Sequence, residues 1–124
     1  MDEGWTRWLL EQYGFEPTSL RNADIKAGAL GDRLDVIILA DLRPGTILQG
    51  RREGTVHPRF AGGIGPEGVR ALDEFVLDGG TLVCLYGSSR FAIDELGLPV
   101  KDVSEGLPGD EFSISGSILE IITD

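Results

Sequence analysis

The run LDVIILA, Leu34–Ala40, constrains the fold most. It is aliphatic and β-branched with no alternating polar positions, the pattern of a strand buried on both faces in a parallel sheet covered by helices. A second apolar run, TLVCLYG, Thr81–Gly87, follows a helix that Gly65-Pro66-Glu67 starts and Gly79-Gly80 ends. Val69, Leu72, Phe75 and Val76 fall on one side of that helix. Helices alternating with buried strands predict an α/β fold, a three-layer sandwich around a mainly parallel sheet.

The remaining elements are weaker. Asp2 is placed to cap a first helix in which Trp5, Trp8, Leu9 and Tyr13 share helical spacing, with Gly14 as its stop. The two tryptophans are expected in the core. Phe15–Leu20 reads as a short strand, and Pro17 puts it near an edge. Asn22 is expected to cap a brief helical turn through Ile25. From Thr46 to Gly63 the periodicity dissolves into a long connection holding Arg51, Arg52, His57 and Arg59, positively charged in an acidic protein. It reads as a solvated loop or as one that meets an anionic surface or a neighbouring domain. Ser88 or Ser89 is expected to cap a helix over RFAIDELG, SEGLPGDE is a loop, and FSISGSILEIIT supplies one or two closing strands interrupted at Gly116.

A length of 124 residues suits one domain spanning the whole chain, 1–124. The net charge is −10, and residues 63–124 carry 3 basic groups against 12 acidic ones. Such a surface repels phosphate backbones, so nucleic acid is not an expected partner. No apolar run approaches the roughly 20 residues that span a bilayer, so no membrane association is expected. MDEGWTRWLLEQ is acidic and amphipathic, unlike the basic-then-apolar opening of a signal peptide. One cysteine makes no internal disulfide and leaves the compartment open.

Catalytic groups are scarce. A reactive cysteine of an amidotransferase sits on the strand-to-helix turn, where backbone N–H groups can hold an oxyanion. Here the turn residue is Tyr86, and Cys84 falls two places earlier, inside the strand, where a thiol stays protonated. His57 is the sole histidine and precedes Cys84, so nothing downstream can act as an imidazole base. One histidine and one buried cysteine also fall short of a zinc site. No catalytic or metal-binding residue is therefore expected. The candidate ligand-binding residues are Asp41, directly after the first buried strand, with Tyr86, Ser88 and Ser89 after the second. Open α/β sheets bind ligands at that edge. Asp41 also suits a purely local role, capping the turn at DLRPG.

DEGWTRWLLEQYGF, LDVIILAD, the block from GGIGPEGVRALDEF through LDGGTLVCLYGSSRFAIDELGLPV, and EFSISGSILEI together resemble a known family. It is the class I glutamine amidotransferase-like domain that lies C-terminal to the catalytic domain in bacterial zinc carboxypeptidases of carboxypeptidase A type. The resemblance implies a flavodoxin-like sheet and a separate upstream peptidase domain with its own zinc, the compartment of a secreted or periplasmic parent being compatible with it. It implies no cofactor for this chain. In amidotransferases the elbow holds the nucleophilic cysteine, and Tyr86 stands there instead. SISGS also departs from the family pattern, which has a Pro before the Gly.

These readings make the chain a non-catalytic accessory domain that packs against, orients or oligomerises a zinc carboxypeptidase. With no strand before the first helix, it is expected to be a fragment of a longer polypeptide lacking the first strand of the sheet. Exposed sheet edges would then favour a homo-oligomer. Two alternatives stay open: a thiol-dependent amidotransferase-like or hydrolase-like enzyme using Cys84, and a small-ligand or peptide-binding module at the strand C-termini.

Overall fold

The structure is a computed structural model, and it describes residues 2–111. The closing strands expected over FSISGSILEIIT lie outside the described residues, as does the side chain of Asp2. The fold is mixed α/β. In chain order it comprises α1 (Asp2–Gln12), α2 (Asn22–Lys26), β1 (Val36–Leu39), α3 (Pro44–Gln49), α4 (Gly65–Leu77), β2 (Thr81–Cys84) and α5 (Ser88–Glu95), with short 3-10 turns at Leu30–Asp32 and Pro58–Phe60.

β1 and β2 pair in parallel, Val36 opposite Thr81 and Leu39 opposite Cys84. The ladder extends one residue each way, through Thr81 N–H to Asp35 O at 2.9 Å and Leu85 N–H to Leu39 O at 3.0 Å. Side chains alternate across such a sheet. Ile37 is buried among Leu72, Phe75 and Phe91, with Leu39 and Leu82 packed against the same core. Leu72, Phe75 and Phe91 come from α4 and α5, so the helices cover this inner face. Each such fully buried side chain stabilises the fold by about 1.5–3 kcal/mol.

The outer face is different. Val36 is 51% exposed, and Ile38, Val83 and Leu85 are also exposed. The expectation that LDVIILA is buried on both faces is corrected: the described residues include no layer over the second face. An apolar sequence shows only that a strand can be covered, and the cover has to come from another element.

Helix α1 requires a second correction. Its Trp5, Trp8, Leu9 and Tyr13 do share a side, but none is in the core; Trp8 is 52% exposed and Tyr13 77%. Trp5 and Trp8 meet edge to face, their centroids 6.0 Å apart. The helix is tied back to the chain at its polar side, where Glu3, Arg7 and Ser19 hydrogen-bond one another. Residues 15–20 form no strand. The segment finds no strand partner among the described residues, and an unpaired strand leaves its backbone groups unsatisfied.

The long connection is also more ordered than expected. Its first part is α3, whose Ile47 is buried, with Pro44 at the first helical position. The chain then returns beside α3: Gly62 N–H donates to Arg51 O at 2.8 Å and Ile64 N–H to Ile47 O at 2.9 Å. Gly50 permits this closure. Its φ is +65°, and a Cβ there would stand 1.7 Å from Gly62 O.

Candidate functional site

The C-terminal ends of β1 and β2 bring the sequence-derived candidates into one region. Asp41, half-buried, accepts a hydrogen bond from Gly87 N–H at 3.0 Å through Oδ1. It thus joins the end of β1 to the turn that starts α5. The site is tight: a Cβ on residue 87 would come within 2.8 Å of that oxygen.

Tyr86 occupies the turn with φ +49° and is 81% exposed. A side-chain-bearing residue in this left-handed region costs roughly 1–2 kcal/mol. It is the backbone position at which strand-to-helix elbows carry a nucleophile, and here the side chain is a phenol.

The two serines do not cap α5, whose cap position is Gly87. Ser88 is wholly buried, its hydroxyl 3.0 Å from Leu39 O and 2.8 Å from Leu85 O. Ser89 is exposed and donates to Cys84 O at 3.2 Å. Both hydroxyls therefore find carbonyls at the strand ends in place of helix N–H groups. α2 is likewise capped one residue earlier than expected, where Asp24 accepts Arg21 N–H at 2.8 Å, and Asn22 is free to reach Gly62 O at 2.7 Å.

Cys84 is the last residue of β2, half-buried, and burial pushes its thiol above the ordinary value. No hydrogen-bonding partner reaches its sulfur among the described residues. His57 is held locally, Nδ1 accepting Arg59 N–H at 3.4 Å and the ring edge-on to Phe60 with centroids 6.3 Å apart. No three His, Cys, Asp or Glu side chains converge as metal ligands among the described residues.

A cavity of about 430 Å³ lies beside this region, next to the residue after Asp41. Asn22, Leu42, Thr46, Arg51, Val56 and Phe60 line it, and none of Asp41, Tyr86, Ser88 and Ser89 does. Arg51 belongs to the basic stretch singled out in the sequence. Thr46, Val56 and Phe60 lie in the same connection, while Asn22 is expected only as a helix cap and Leu42 carries no signal, because α2 and the 50–62 segment meet only in three dimensions. Comparison with family models, with curated proteins and with solved structures finds no match for this chain.

Proposed function

We propose that this chain is a non-catalytic accessory domain that docks on a neighbouring polypeptide, the catalytic domain of a zinc carboxypeptidase of carboxypeptidase A type. The observation that carries the reading is the pair of uncovered apolar faces: Val36, Ile38, Val83 and Leu85 on the sheet, and Trp5, Trp8, Leu9 and Tyr13 on α1. Apolar surface gathered in this way marks an interaction site, and tryptophan and tyrosine are favoured at interface centres. The sequence resemblance supplies the identity of the partner.

In this reading the domain belongs to a three-layer, flavodoxin-like sandwich, and the partner covers the open layer. Each strand of a two-stranded sheet also keeps one edge unpaired among the described residues. A strand from the partner or from a second copy would satisfy it. Zinc stays with the peptidase domain. The thiol-enzyme alternative has no observation in its favour among the described residues, since the Cys84 thiol is partly buried and burial raises its pKa.

Sedimentation velocity tests the proposal, on the chain alone and mixed with the catalytic domain of a bacterial carboxypeptidase of this type. Saturable association is expected, weakened at least about tenfold by Trp8→Glu, the loss typical of an interface centre. A chain that binds neither the peptidase domain nor itself at about 100 µM would overturn it.

A further inference from the structure

The cavity beside β1 differs in charge from the chain as a whole. Leu42, Val56 and Phe60 form its apolar wall, and Asn22, Thr46 and Arg51 supply its polar groups. Among the described residues no Asp or Glu lines it, in a protein where acidic groups outnumber Lys and Arg 21 to 11. Arg59, which does not itself line the cavity, lays its guanidinium over the Phe60 ring, 4.5 Å from the centroid. Arg43 and Arg52 adjoin Leu42 and Arg51 in the chain. None of these four arginines is ion-paired among the described residues, where the paired ones are Arg7 and Arg90.

The lining is also held in place. The backbone of residue 51 bridges to residues 61 and 62, clamping both ends of the loop that carries Arg51, Val56 and Phe60. Asn22 is oriented by its bond to Gly62 O, which uses one Nδ2 hydrogen and leaves the other for a ligand. The cavity is open to solvent, with Leu42 and Phe60 both partly exposed, and it combines an apolar wall with a few polar groups, the composition of a small-molecule site.

We propose that this cavity binds a small organic carboxylate with an apolar body, the carboxylate paired with Arg51 and the hydrocarbon against Leu42, Val56 and Phe60. A guanidinium matches a carboxylate through two parallel hydrogen bonds, and with no acidic lining residue among the described residues such a ligand meets less repulsion there than elsewhere on the chain. The site is distinct from the apolar faces of α1 and the sheet, so it stands or falls independently of the accessory role.

The test is an amide-resolved NMR titration of the full chain with 3-phenylpropionate, 3-phenylpropionamide and inorganic phosphate. Saturable shifts centred on Asn22, Arg51, Phe60 and Gly62 are expected with the carboxylate, with the amide and phosphate at least about tenfold weaker. Arg51→Gln is expected to weaken the carboxylate at least about tenfold without moving the thermal midpoint, and Arg59→Gln to weaken it less. Equal binding of acid and amide would reduce the site to an apolar crevice, and equal binding of phosphate to diffuse anion attraction. Either result, an unaffected Arg51→Gln variant, or no saturable shift up to about 10 mM would overturn the proposal.

Discussion

Asp41 and Gly87, 46 residues apart in the chain, are joined by a 3.0 Å hydrogen bond from the Gly87 amide to Asp41 Oδ1. That bond fastens the end of β1 to the first turn of α5, while the buried Ser88 hydroxyl lies against Leu39 O and Leu85 O beside it. The candidate ligand residues at the sheet edge are thus in large part the fastening of the fold.

Asp41→Ala is expected to cost about 1–2 kcal/mol in urea unfolding, because a partly buried N–H loses its charged acceptor. Asp41→Asn keeps an acceptor oxygen and should cost less than about 1 kcal/mol. Gly87→Ala drives a methyl toward the same oxygen. Its cost should shrink in the Asp41→Ala background, and strictly additive losses in the double variant would show that the two residues do not act through this contact.

Tyr86 holds a left-handed backbone without being glycine. Tyr86→Gly relieves that strain but loosens the unfolded chain, so its stability should stay within about 1 kcal/mol of the parent. Tyr86→Val places a β-branched residue there and should lose at least about 1 kcal/mol. Thermal melts of the two variants in the reverse order would contradict the turn geometry.

The Cys84 thiol titrates above its ordinary value of 9.0 because burial disfavours the thiolate. The native state therefore holds this proton more tightly than the unfolded one. Its contribution to stability is fully present below the ordinary value and is lost as the pH rises through the raised native value. Cys84→Ala should flatten that alkaline decline. Iodoacetamide should label native protein slowly at pH 7 and unfolded protein faster, and rapid native labelling would reveal an activated thiol instead.

Leu72→Ala should cost about 2–5 kcal/mol, since Leu72 is completely buried beneath the sheet. Trp8→Ala, although it removes a far larger side chain, should cost less than about 1 kcal/mol in the isolated chain, because Trp8 is half exposed and stands outside the core of the described residues. Chemical denaturation of both variants checks the contrast. A large loss at Trp8 would place α1 in the chain's own core.

What could be read from the residues was local or periodic. Gly65-Pro66 at the start of α4 and Gly79-Gly80 after it mark the helix because proline and glycine act through their own backbone preferences. The position of Cys84 inside a strand, ahead of the turn at Tyr86, followed from the same local signals. α3 was obscured because Pro44 serves equally in a turn and at a helix start, and burial of Ile47 selects the helix. Phe15–Leu20 had strand-like residues, yet a strand is completed by a partner that local sequence does not specify.

The sequence by itself determined the α/β class, two apolar strands separated by a helix, and a cysteine withdrawn from the turn, since each depends on periodicity or on residue-specific backbone preference. Only the tertiary structure decided that, among the described residues, one sheet face and the apolar side of α1 have no covering layer, and that Asn22, Leu42 and Arg51 border one cavity. Burial and convergence are relations between segments distant in the chain, and a one-dimensional pattern shows which side chains can be covered without showing what covers them.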